Sequence, residues 1–199
     1  EDKYTLTESI EKLNLKQDIE KVVDIDEVIR YFAAHNFVLS YDSYTGKSIH
    51  NYYLKEDDGI LSMLPWDYNL SFGRYNMKED INTIVNYGID TPLNRAQEKD
   101  RPMWNWITNE KYINEYHQVM DDLLKNYFEN DKIYEEIDRV YGIIKPYIKQ
   151  DVSAFYSLND VEKAVDTLKL FCKYRAESIR LQLDGKLDTK TNSQDEKNR

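Results

Sequence analysis

The chain has 199 residues, 41% of them hydrophobic and 32% charged, enough apolar material for one domain whose core needs no covalent staples. A formal net charge of -10 argues against a phosphate-backbone binder, so no nucleic-acid partner is expected. The single cysteine, Cys172, excludes an internal disulfide, and no apolar run reaches the length of a membrane span.

Taken in order, residues 1–23 read as short helices, with Ile10, Leu13, Ile19, Val22 and Val23 at helical spacing. A cap at Asp24 or Asp26 opens the next helix, whose apolar face is Val28, Ile29, Phe32, Ala33 and Phe37. His35 on this helix reads as a packed or solvent-tipped histidine rather than a ligand. The helix delivers the chain into a turn-rich loop containing Asp42, Ser43, Thr45 and Gly46. NYYLK (51–55) has strand chemistry, EDDG (56–59) suits a hairpin turn, and ILSML (60–64) is the return strand, ended by Pro65. A hairpin here brings the loop before it and the Trp66-Asp67 turn after it to the same side.

Residues 74–100 read as irregular, a long connection of a kind more often functional or wrapped over the surface than idle. Helix restarts at Arg101-Pro102, where Trp104 and Trp106 anchor a short segment to the core. A second helical run places Ile113, Tyr116, Met120, Leu123, Leu124 and Phe128 on one face. Tyr112, Tyr116 and His117 read as surface packing, since a histidine without a partner makes no metal site. Residues 131–149 predict a helix that Pro146 should kink or end. The longest helix is expected over 160–183, stopped by Asp184-Gly185, with Cys172 as a small buried hydrophobe. The polar residues 186–199 are expected to be a disordered tail, leaving 1–185 as the folded domain. The fold class is therefore mostly α with a small β-hairpin.

The chemistry concentrates in residues 40–73. Asp42 lies in the loop, Asn51 nine residues later at one mouth of the hairpin, and Asp67 at the other. Two carboxylates and an amide oxygen suit a hard, oxygen-seeking cation such as Mg²⁺ or Mn²⁺. The order Asp, Asn, Asp across a hairpin is also the order of phosphoryl transfer in kinase-type folds.

DSYTG (42–46), HNYYL (50–54) and LPWDYNLSFG (64–73) resemble the CotH family, atypical kinases named after a spore coat protein. RPMW (101–104) and RAESIRLQLDG (175–185) extend the resemblance, which runs from about residue 24 to 185. The resemblance implies the C-terminal lobe of an atypical protein-kinase-like α+β fold. It also implies binding of ATP with Mg²⁺ or Mn²⁺, and transfer of the γ-phosphate to Ser of partner proteins such as coat or surface proteins. In that scheme Asp42 is the catalytic-loop carboxylate, Asn51 and Asp67 bind the nucleotide, and Asp67, Asn51 and Asp42 are the metal residues. His50 orients the loop, and Trp66 and Tyr68 wedge it. The implied location is the spore coat or cell surface. Asn69 departs from the PWDYD pattern of many relatives, which lowers the charge at any second metal.

The residues before Asp42 read as helical, with no strand-rich block and no glycine loop to grip phosphates. The chain is therefore expected to be a truncated domain, the N-terminal lobe missing, with little or no activity alone. A second reading, a non-catalytic assembly module on a kinase-like scaffold, stays open. A third, metal-dependent phosphoester hydrolysis, lacks a water-activating His cluster.

Overall fold

Asp24 sets the entry to the central helix. In the computed structural model, which describes residues 2–75, 80–92 and 101–190, α1 (Asp2–Asn14) and α2 (Ile19–Val22) lead into α3 (Ile25–Phe37). The Asp24 carboxylate accepts from Glu27 N at 3.0 Å, satisfying one of the donors that a helix start leaves orphaned. Val28, Ile29, Phe32, Ala33 and Phe37 are buried as their spacing requires, and so are Tyr31, His35 and Asn36. An amphipathic surface helix has one such face; α3 is covered on most of its circumference.

Strands β1 (Tyr52–Asp57) and β2 (Ile60–Pro65) pair antiparallel, with Tyr52 opposite Pro65 and Asp57 opposite Ile60. Asp58 and Gly59 turn the chain, both at positive φ, which matches the twist of the flanking strands. Leu61, Ser62 and Met63 of β2 are buried. Leu61 O accepts from Asp24 N at 3.0 Å, fastening the hairpin to the start of α3. The outer strand β1 is largely exposed.

Helices α4 (Ile81–Ile84), α5 (Pro102–Asn105), α6 (Glu110–Leu123), α7 (Lys132–Gln150) and α8 (Leu158–Leu183) complete the described elements, with a π turn over Leu124–Phe128 continuing α6. One helix boundary differs from expectation, and Pro146 does not end its helix. α8 starts earlier than residue 160, because Ser157 is its cap and Asp160 its third residue, the two bonded reciprocally. α7 passes through Pro146 to Gln150. The proline ring faces the carbonyl of Gly142, a residue with open space around it and the backbone freedom to tilt that carbonyl away.

The main core joins α1–α3, β2, α5, α6 and the end of α8. Trp104 and Trp106 lie within it as expected. A smaller core of Leu39, Tyr41, Ile84, Val85, Tyr87, Phe171 and Cys172 ties the loop after α3 to α4 and α8. Burial pushes the Cys172 thiol up to about 12, so it stays protonated and packs as a small apolar group.

Tyr116 and His117 do not lie on an open surface. The Tyr116 side chain is fully buried. Its hydroxyl donates to Ile89 O at 2.9 Å and accepts from Asn36 Nδ2 at 2.9 Å, while His117 Nε2 meets Asp90 Oδ1 at 2.7 Å. Their cover is the segment around residues 87–91, whose packing on α6 leaves no periodic mark in the sequence. Of the segment expected as a tail, residues 186–190 run beside it: Thr189 O accepts from Asp90 N at 2.9 Å, and Lys190 O from Thr91 Oγ1 at 3.0 Å. Residues 191–199, like 76–79 and 93–100 of the irregular connection, lie outside the described residues.

Candidate functional site

Residues 39–46 form neither helix nor strand, yet all of them are buried. Buried backbone without a ladder needs other partners for its polar groups, and three side chains supply them or hold the loop's margins. His35 on α3 is the first. Its Nε2 lies 2.8 Å from both Ser43 Oγ and Thr45 Oγ1, and its Nδ1 lies 2.8 Å from Tyr68 OH. Both loop hydroxyls donate to Ser40 O. The network therefore assigns the imidazole proton to Nε2, with Tyr68 donating to Nδ1. Burial drives the His35 pKa down to about 3, which agrees with a neutral ring inside a dry cage.

Arg101 is the second anchor. Its Nε donates to Tyr44 O at 2.6 Å and its Nη2 to Gly46 O at 2.9 Å, while the guanidinium lies 5.6 Å from the Tyr44 ring centre. Arg175 on α8 is the third. It donates to the carbonyls of Asn36, Phe37, Val85 and Tyr87 at 2.6–3.3 Å. Two of those carbonyls close α3, where the helix dipole favours a cation. Burial lowers the Arg175 pKa to about 10, so it remains charged at neutral pH. The loop also admits no side chain at Gly46, where a Cβ would sit 1.7 Å from Tyr41 O.

Asp42 is held inside this frame. It is 8% exposed. Its Oδ2 accepts from Asn51 Nδ2 at 3.2 Å. His50 Nε2 comes within 2.9 Å of Oδ1, but off the line of a hydrogen bond, so Oδ1 is buried without an aligned donor. Ile49 and Asn51 both adopt left-handed backbone (φ 51° and 53°). That costs little for Asn and more for a β-branched residue, and backbone strain of this kind gathers at functional sites.

Asp67 is differently placed. It is exposed, with φ 50°, and precedes the 3₁₀ turn Tyr68–Leu70 without capping it. Tyr52 pairs with Pro65, so Asn51 and Asp67 flank the open end of the hairpin. Among the described residues no hydrogen bond or ion pair joins Asp67 to Asp42 or Asn51. What relates the two carboxylates is His35, which bonds the Asp42 loop through one nitrogen and the residue after Asp67 through the other. Tyr68 thus holds the turn. Trp66 does not wedge it: the indole is 56% exposed and packs edge-on against Tyr53 at 5.2 Å.

No group of three His, Cys, Asp or Glu side chains among the described residues is arranged to hold a metal. Mg²⁺ rarely needs such a cage, since it is commonly bound by one or two carboxylates with phosphate oxygens and water completing its shell. The Oδ1 of Asp42, beside His50 but without a hydrogen bond, the amide oxygen of Asn51 and the open carboxylate of Asp67 are donors of the right hardness for it.

The chain matches the CotH kinase protein family over residues 1–179, and it belongs to that family. The match takes in α1 and α2, whereas the motif resemblance begins only near residue 24. The inner spore coat protein H of Bacillus subtilis (strain 168) is a curated relative, 24% identical over 184 residues that cover 87% of this chain and 46% of the relative. The chain therefore spans about half the length of that relative.

Proposed function

We propose that a protein containing this chain is a metal-dependent protein-serine kinase of the spore coat, and that residues 40–73 supply its metal-side and acceptor-side groups on the C-terminal lobe of a kinase-like fold. The observation that carries the reading is Asp42: a carboxylate set in a fully buried loop, oriented through Oδ2 by Asn51, with an Oδ1 that lies 2.9 Å from His50 Nε2 but accepts no hydrogen bond, in a chain of a family described as kinases. In the transfer, the acceptor serine oxygen bonds to the γ-phosphorus as the bond to the leaving β-phosphate oxygen breaks. The serine proton passes to Asp42 Oδ1. Bound Mg²⁺ or Mn²⁺ would neutralise charge on the phosphates, with Asn51 and Asp67 as the residues to hold it. His50 shields Asp42 from solvent, and the His35 cage keeps the loop and the Asp67 turn in fixed relation. The partners are ATP and coat proteins, and the coat location rests on the name of the Bacillus relative.

The test uses a protein that also carries the part of the relative lying outside this match, with labelled ATP, Mn²⁺ or Mg²⁺ and a serine-rich peptide. Asp42→Asn and Asp67→Asn should each lower transfer at least about a hundredfold, the size of a lost general base or charge clamp. Undiminished transfer by either variant overturns the assignment of that residue.

A second reading has its own observation. None of the side chains of α7 is buried, and Val152, Phe155 and Tyr156 beyond it are strongly exposed. That arm suits a coat-assembly module on a kinase-like scaffold. Retention of partner binding by the Asp42→Asn, Asp67→Asn double variant, in a protein that transfers no phosphate, would favour it.

A further inference from the structure

A cavity of about 440 Å³ lies just beyond Asp67, between the loop 69–74, α4 and α8. Its apolar wall is built from Phe72, Ile81, Ile84, Leu168 and Phe171. The wall is held in shape: Phe72 N donates to Val38 O at 2.5 Å, and its ring meets Phe171 edge-on at 5.7 Å. Phe72 adopts φ 60°, an unusual conformation for an aromatic residue that the surrounding contacts enforce.

Three polar side chains on the lining, those of Asn69, Ser71 and Arg74, have no hydrogen-bond or ion-pair partner among the described residues. Ser71 is 1% exposed, and its Oγ has no hydrogen-bond partner. A buried hydroxyl left unpaired is unfavourable, so a ligand that accepts from it or donates to it gains what the free protein forgoes. Arg74 stands exposed on the same lining. Among the described residues no acidic side chain lines the cavity with it. An apolar hollow with one buried hydroxyl and a cation on its lining is complementary to a bulky apolar group carrying a carboxylate close by.

We infer that this cavity docks the polypeptide acceptor, taking a bulky apolar side chain against Phe72 and Phe171 while an adjacent acidic residue pairs with Arg74. The placement favours a polypeptide over a free small molecule. Ser71 lies four residues past Asp67, and the intervening Tyr68 is bonded to His35. A ligand in the cavity therefore sits beside the turn that bears the candidate carboxylate, where an extended chain can reach from one to the other. The inference rests on the kinase reading only for the use made of the bound peptide; the docking itself needs no nucleotide.

The experiment is a binding titration followed by fluorescence anisotropy, without ATP or metal, on the same protein as the transfer assay. The probes are short labelled peptides containing Ser with Phe-Asp, Phe-Lys or Ser-Asp a few residues away. The Phe-Asp peptide should bind at least about tenfold tighter than either control, the ratio expected for loss of one charged or one well-buried apolar contact. Thr167→Trp, a substitution at an exposed α8 position on the cavity lining, should weaken Phe-Asp binding by a similar factor without disturbing the core. Arg74→Glu should reverse the preference between Phe-Asp and Phe-Lys. Equal binding of all three peptides, or a Thr167→Trp protein that binds as the parent does, overturns the inference. So does equal competition by free 3-phenylpropanoate, which would make the cavity a small-molecule site. Asp42→Asn should leave the titration unchanged. Peptide binding by the unsubstituted protein, if that protein transfers no phosphate, would sink the kinase reading and leave the docking site standing, whereas transfer unaffected by Thr167→Trp would do the reverse.

Discussion

Residues 39–46 have no regular secondary structure and no exposed residue, while α7 is nineteen residues of continuous helix with none buried. The two regions separate properties that are often assumed to travel together. The loop takes its order from side chains outside it: His35 on α3, Arg101 at the entry to α5 and Arg175 on α8 reach it or its flanks. α7 takes its order from its own backbone bonds and from partial cover along α8, with exposed links such as Lys145 to Glu162 at 2.8 Å and Tyr141 OH to the same carboxylate at 3.1 Å. Such links are worth little in water. A protein that must hold Asp42 still has reason to place it in the first kind of segment.

The largest effect is expected at Arg175. Replacing it with Met keeps the side-chain length and removes the guanidinium's hydrogen bonds to four buried carbonyls, of which Tyr87 O keeps Gln182 Nε2 and Asn36 O keeps Leu39 N as a second donor. The loss should be about 4 kcal/mol, since hydrogen bonds from a charged donor contribute about 1.5–3 kcal/mol and a buried acceptor left unpaired costs about 1–3 kcal/mol, read as a lower urea midpoint with unchanged slope. A loss under about 1 kcal/mol, within the range of ordinary surface substitutions, would mean that water replaces the guanidinium and that this part of the loop's frame is not fixed.

The next effect is a pH dependence. His35 is held neutral by burial, with a folded pKa of about 3 against 6.5 for the free side chain. Between those values the unfolded chain binds a proton that the folded chain refuses. The stabilisation is therefore complete above about pH 6.5 and is lost as the pH falls toward 3, by about 1.4 kcal/mol per unit well inside that window. His35→Gln should cost about 1–2 kcal/mol at pH 7.5, for the hydrogen bonds it loses, and the gap to the parent should close or reverse near pH 4.5. Carboxylates titrate in the same range, so the difference between the two proteins is the quantity to follow. A gap that stays constant from pH 7.5 to 4.5 would show that the ring is not held neutral in the folded loop.

What could be read in advance follows the same division. The helical spacing of Val28, Ile29, Phe32, Ala33 and Phe37, and the Asp-Gly turn of the hairpin, are local signals, and both elements formed where they pointed. Asp42 and Asn51 stood out as polar residues beside a hairpin, and they meet. The cage was not legible, because a histidine, a serine and a threonine eight to ten residues apart carry no periodic mark. Arg101 and Arg175 did stand in motifs that resemble the CotH family, yet nothing in those motifs says that an arginine will turn inward to carbonyl oxygens. The cover over Tyr116 was hidden for a similar reason: residues 87–91 pack by shape and not by period. The start of α8 was missed by two residues, because the apolar spacing begins only at Val161 and the cap at Ser157 shows in its reciprocal bond to Asp160.

The smallest effect tests the other side of the comparison. Val152 and Phe155, beyond the end of α7, are 104% and 97% exposed, so neither contributes burial to the fold. Val152→Ser with Phe155→Ser should leave stability within about 0.5 kcal/mol of the parent, the range of surface substitutions that touch nothing. A double variant destabilised by 2 kcal/mol or more would show that these side chains are covered in the folded chain in solution, and the contrast with the loop would fail. If stability is unchanged but binding to coat partners falls, the two residues serve a contact outside this chain. That outcome would place assembly on the α7–α8 arm and leave the transfer chemistry, with its need for fixed geometry, to the buried loop.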